Sequence, residues 1–89
     1  MMHERDVVLY LGERVFKMGG EMRRVRWIGR RGAPDLLVLL PGRSFWVEAK
    51  APGEKPSPAQ LREHARLRAA GNRVEIVDSE ASVDEVLAR

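Results

Sequence analysis

Residues 35–50 constrain this chain more than any other stretch. Asp35 is followed by five aliphatic residues, Leu36–Leu40, then by Pro41–Gly42–Arg43 and the run Ser44–Lys50. A near-continuous apolar run of that length suits a strand buried on both faces. Pro–Gly reverses the chain, so the two runs form an antiparallel hairpin. The start of the first strand then lies beside the end of the second, which brings Asp35 next to Glu48 and Lys50. Side chains alternate along a strand, so Glu48 and Lys50 share a face and Ala49 points away.

A carboxylate at the mouth of a buried strand is costly without a partner. Two carboxylates held together raise each other's pKa unless a cation lies between them. A hard divalent ion such as Mg²⁺ takes oxygen ligands, often one or two carboxylates plus water and phosphate oxygens. Held there, it lowers the pKa of bound water and stabilises charge on a phosphoryl group. Lys50 can orient that water or offset phosphate charge. The same residue types also fit a structural Asp–Lys or Glu–Lys pair at a strand end, and they alone leave both readings open.

The flanking segments read as helices and strands. His3–Met18 is predicted to be a helix whose inward stripe is Val8, Leu11, Val15 and Met18. Gly19–Gly20 ends it. Glu4, four residues before Val8, is the acid of this helix that looks toward the sheet, whereas Asp6 and Glu13 lie well round from the stripe. Glu4 can accept a hydrogen bond from metal-bound water or add a carboxylate; at a helix N-terminus it also complements the dipole. Met22–Ile28 is predicted to be a strand, and Gly29–Pro34 a loop with Arg30 and Arg31 at its tip.

After the loop Ala51–Pro56, Ser57 caps a helix with Pro58 at its first position and Gln60 at its third. This helix runs to Ala70 and stops at Gly71. Gln60, His64 and Leu67 form a stripe expected to face inward with Leu61. Gln60 can reach a phosphate oxygen or a metal-bound water, but Ser57-x-x-Gln60 is equally a capping box. His64 reads as a semi-buried structural histidine and stays outside the catalytic set. Arg73–Asp78 is a last buried strand and Ser82–Ala88 a closing helix. The order α-β-β-β-α-β-α gives one α/β domain over residues 1–89, a mixed central sheet flanked by helices.

Charge narrows the partner. The chain of 89 residues carries a net +3, and 13 of its 16 basic residues are arginine. Arg23, Arg24, Arg26, Arg30 and Arg31 stand against the single acid Glu21, while Glu75–Ala88 holds five acids and no base. Arginine grips phosphate in a bidentate fork, so the basic stretch fits a phosphate backbone; an ordinary solvated face fits it too. The absence of cysteine excludes disulfide scaffolds, zinc fingers and thiol nucleophiles, and suits a reducing cytoplasm. No apolar run approaches the ~20 residues of a membrane helix, and no signal peptide is visible.

Pro34–Asp35, twelve residues, then Glu48–Ala49–Lys50 resembles the PD-(D/E)xK nuclease motif. Gly29-Arg-Arg-Gly-Ala-Pro-Asp-Leu, Trp46-Val-Glu-Ala-Lys-Ala-Pro-Gly, Ser57-Pro-Ala-Gln60 and Ala70-Gly-Asn-Arg-Val-Glu-Ile-Val-Asp-Ser are similar to its VRR-NUC branch, in the short stand-alone form often found in phages. The resemblance spans essentially the whole chain and implies a restriction-endonuclease-like core. It implies that Asp35, Glu48 and the main-chain carbonyl of Ala49 bind Mg²⁺ or Mn²⁺, that Lys50 and Gln60 join them in catalysis, and that the family's helical glutamate is Glu4. It further implies a homodimeric endonuclease acting on branched DNA in the manner of a Holliday-junction resolvase, with no organic cofactor. Arg30 and Arg31, backed by Arg23, Arg24 and Arg26, are the expected DNA contacts. The Val8–Met18 helix and Phe45/Trp46 are candidates for the dimer face or for the core. The rival expectations are a non-catalytic binding module on the same fold and a restriction-like enzyme reading base sequence.

Overall fold

A computed structural model describes residues 2–89. Helix α1 (Glu4–Lys17) leads into strands β1 (Glu21–Arg24), β2 (Leu36–Leu40) and β3 (Arg43–Ala49); helix α2 (Pro58–Ala69), strand β4 (Val74–Val77) and helix α3 (Glu80–Ala88) follow. The sheet order is β1-β2-β3-β4. β1, β2 and β3 pair antiparallel, and β4 joins β3 in parallel after the α2 crossover. This is the mixed sheet with helical flanks expected from the pattern of the sequence.

The hairpin turns on two residues, because Leu40 pairs with Arg43. Gly42 sits at φ +79°, a conformation that a Cβ disfavours. Along β2 buried and half-buried residues alternate, so the run is not sealed on both faces as expected. Leu36, Val38 and Leu40 join Phe45, Val47 and Ala49 in one core beneath α1 and α3, where Val83, Val86 and Leu87 close it. The opposite face receives α2, whose buried residues are Glu63 and His64.

Several boundaries differ from expectation for identifiable reasons. The stripe of α1 is Val7, Leu11 and Val15, each fully buried, whereas Val8 is half-buried and Met18 lies past the last turn. β1 ends at Arg24 rather than Ile28. One more backbone bond, from the Val25 N–H to the Asp35 carbonyl (2.7 Å), follows it before the segment leaves the ladder. Trp27 instead donates its indole N–H to the Pro34 carbonyl (2.7 Å) and packs on Trp46, ring centroids 4.9 Å apart. α3 begins before Ser82 because Ser79 caps it, its hydroxyl accepting from the Ser82 N–H. Leu61 points outward, 50% exposed, since the inward face of α2 is centred on Glu63 and His64. Phe45 belongs to the core, with the Arg73 guanidinium 4.0 Å from its ring centroid.

Most of the acidic segment is paired at home. Asp84 meets Arg14 and the Tyr10 hydroxyl, Glu75 meets Arg73 and Arg89, and Glu85 meets Arg89. The arginines of residues 23–31 gain no counterpart from it, so the charge asymmetry of the sequence persists in space. Among the described residues no helix is long and apolar enough to cross a membrane.

Candidate active site

The hairpin register fixes the centre of the site. Leu36 pairs with Val47, and extending the ladder by one residue sets Asp35 beside Glu48. The main chain continues into β4 through Ala49, which pairs with Val77, and through the Lys50 N–H, which donates to the Val77 carbonyl at 2.9 Å. The N-terminal ends of α1 and α2 approach this end of the sheet. Between them lies a cleft of about 300 Å³ whose lining includes Glu4, Asp35, Glu48, Ala49, Lys50 and Gln60. All the acids, the lysine and the glutamine singled out in the sequence thus face one space.

Glu48 is the buried member, 8% exposed. Its carboxyl is pushed up to about 7, first by burial; Lys50 opposes the rise, and Asp35 and Glu4 add to it. Gln60 approaches Glu48 Oε2 with its side-chain nitrogen at 3.5 Å, and His64 Nε2 lies 3.3 Å from Oε1. The two readings of Gln60 prove compatible. Its amide oxygen accepts from the Ser57 N–H (2.8 Å) and closes the capping box, leaving its nitrogen free to turn toward Glu48.

His64, by sequence a semi-buried structural histidine outside the catalytic set, is fully buried and touches Glu48. Burial lowers its pKa, with Arg68 and Lys50 assisting, and its Nδ1 has no hydrogen-bond partner among the described residues. The signal was its i+4 spacing from Gln60. Asp35 is about half exposed and accepts from Arg24 Nη1 at 2.6 Å. Arg24, grouped with the DNA contacts in the sequence, therefore stands on the rim of the carboxylate cleft. Arg23 pairs with Glu21 at 2.7 Å, and Arg26, Arg30 and Arg31 are exposed.

The donor set suits a hard divalent ion. Negative charge converges on a buried carboxylate that is held above its ordinary range, and a cation would relieve it. Among the described residues no three His, Cys, Asp or Glu side chains gather tightly enough to cage an ion. Two carboxylates and a main-chain carbonyl, with room for water and substrate oxygens, match the incomplete protein shell that Mg²⁺ accepts.

Sheet order, flanking helices and this cleft define a restriction-endonuclease-like α/β fold with an acid–lysine site at the hairpin's open end. A solved VRR_NUC domain superposes with a TM-score of 0.87 and 44% sequence identity, covering 97% of this chain and 95% of that one. A protein of Acyrthosiphon pisum secondary endosymbiont phage 1, named "Putative nuclease p44", is 49% identical over 81 residues, 90% of this chain and 87% of its own length. No family model matches the sequence. The chain belongs to the VRR-NUC family of nucleases.

Proposed function

We propose that this chain is a Mg²⁺- or Mn²⁺-dependent DNA endonuclease that hydrolyses phosphodiester bonds in branched DNA, in the manner of a Holliday-junction resolvase. The observation that carries the reading is the convergence of Glu4, Asp35, Glu48, Lys50 and Gln60 on one cleft beside an arginine-rich loop. Asp35, Glu48 and the Ala49 carbonyl are the residues to hold the ion. When bound, it supplies an acidified water and screens the phosphate.

The protein's own groups account for the rest. Lys50 shares the face of Glu48 and directs its ammonium at the attacking water or the phosphate oxygens. Gln60 and His64 hold the Glu48 carboxylate from two sides. Glu4 accepts a hydrogen bond from solvent at the mouth of the cleft. Water attacks phosphorus as the bond from phosphorus to the departing sugar oxygen breaks; no covalent protein nucleophile is required. Arg26, Arg30 and Arg31 offer exposed charge to the DNA backbone.

Two symmetric cuts require two sites related by a two-fold axis, so the reading includes a homodimer. Leu9 and Phe16, 64% and 79% exposed and seven residues apart on α1, are the proposed contact. Light scattering should give twice the chain mass, and Phe16→Glu should halve it.

The deciding experiment is a cleavage panel of four-way, flapped, single-stranded and duplex DNA with Mg²⁺, Mn²⁺ or EDTA. Metal-dependent nicking of branched substrates, lost in Asp35→Asn with binding retained, is the expected result. No cleavage of any substrate by the wild type would favour a binding module. Strong dependence on arm sequence would favour a restriction-like enzyme.

A further inference from the structure

The basic loop meets a second source of charge that the linear sequence does not place beside it. Arg30 and Arg31 form one wall of a cleft of about 480 Å³, and Arg62 and Arg66 of α2 form the other. Between them lies Glu63, 7% exposed, its Oε2 3.2 Å from Arg30 Nη2 and 3.7 Å from Arg66 Nε. Arg31 and Arg62 have no ion-pair partner among the described residues. Four guanidiniums against one carboxylate leave a local +3, as large as the net charge of the whole chain. A buried carboxylate in that place acts as an anchor: it orients Arg30 and Arg66 while most of their donors stay free.

This cleft neighbours the carboxylate site. An intervening groove, walled by Arg24, Arg26 and Trp27, shares Arg30 with the arginine cleft and Asp35 with the acidic one. α2 links the two clefts as well, through Gln60 on one and Arg62 and Arg66 on the other. Gln60 and Arg66 are six residues apart on that helix, ~9 Å along its axis. Successive phosphates along a strand lie farther apart than the ~3.4 Å axial rise, so this reach is about one to two nucleotides.

We propose that the cleft between Arg30–Arg31 and Arg62–Arg66 binds the backbone phosphates of a DNA strand one to two nucleotides from the phosphate being cut. The assignment rests on the nuclease reading and adds Arg62, Arg66 and the anchor Glu63 to it. Guanidiniums from two directions suit phosphodiester oxygens, which accept bidentate hydrogen bonds and carry one charge per nucleotide.

The test uses Arg62→Ala/Arg66→Ala and a fluorescent branched DNA, titrated in EDTA between 50 and 200 mM salt. Losing two phosphate contacts should weaken binding by about tenfold and flatten the salt slope by about two. A single methylphosphonate one or two nucleotides from the cut should lower wild-type kcat/KM with Mn²⁺ and cost the double variant nothing further. Unchanged affinity and slope, with wild type still cleaving, would overturn the arginine site and leave the nuclease reading intact. A wild type that never cleaves, but whose binding collapses in the double variant, would overturn the nuclease reading and leave the phosphate site standing. If circular dichroism shows the alanine pair unfolded, Arg62→Gln/Arg66→Gln serves with the same criteria.

Discussion

His64, fully buried on α2, sets its Nε2 3.3 Å from Oε1 of Glu48 on β3. The contact ties the crossover helix to the strand that carries the central carboxylate. Burial disfavours the charged form of this imidazole. A ring nitrogen so placed orients the carboxyl group from behind. His64→Ala should therefore lower stability by about 1–3 kcal/mol and weaken Mn²⁺ binding. His64→Gln, whose amide can donate in the same direction, should recover part of both. Thermal melts and Mn²⁺ titrations of the two variants measure this. Mn²⁺ affinity equal to wild type in His64→Ala would reduce the histidine to core filling.

Glu48 holds its proton more tightly in the folded chain, to about 7 against an ordinary 4.5. Its contribution to stability is thus complete below about pH 4.5 and is lost as pH rises to about 7, a change of about 3 kcal/mol. In EDTA, wild type and Glu48→Gln should melt alike below about pH 4.5, diverge as pH rises, and differ most above about 7, with the variant more stable. Mn²⁺ should close that gap from the wild-type side and leave the variant unmoved. Parallel melting curves across the whole range would contradict the burial argument.

Gln60 serves the helix cap with its oxygen and Glu48 with its nitrogen. The two roles separate by substitution. Ser57→Ala should cost about 1 kcal/mol through the lost cap while cleavage at saturating DNA stays near wild type. Gln60→Glu keeps an acceptor for the Ser57 N–H but removes the donor and adds charge beside Glu48. Its melting temperature should change little while its cleavage rate falls at least about tenfold. Equal losses of rate in both variants would mean that helix integrity, not the amide donor, governs the site.

Gly32 locks the arginine loop onto α2. Its φ is +83°, and a Cβ there would lie 2.9 Å from the Ala59 carbonyl oxygen and 3.1 Å from the Gln60 Cα. Gly29, at φ +80°, has open space around it. Both alanine variants incur left-handed strain of about 1–2 kcal/mol. Only Gly32→Ala also pushes the loop from the helix, so it should lose more stability and more DNA affinity. Equal effects in paired melts and binding titrations would show that the close approach is unimportant.

The hairpin was legible because its signals are local. Five aliphatic residues, a Pro–Gly turn and strand alternation sufficed to set Asp35 beside Glu48 and put Lys50 on the same face. The caps at Ser57 and the stop at Gly71 were equally plain. The inward faces of the helices were harder to judge. Val7 displaced Val8, and Leu61 turned outward, because one residue of rotation is decided by what packs opposite. β1 stopped at Arg24, and Trp27 turned to the Pro34 carbonyl and the Trp46 ring, contacts that strand alternation does not reveal.

Local chemistry written along the chain therefore determined the elements, their order and the acids of the cleft, since capping, turning and alternation act over a few residues. Folding alone decided that His64 would stand behind Glu48, that Arg24 would sit on Asp35, and that Arg62 and Arg66 would complete the basic wall begun by Arg30. Those relations join residues 11 to 36 positions apart on different elements. They depend on the rotation and docking of whole helices against the sheet, which packing sets and sequence spacing does not reveal.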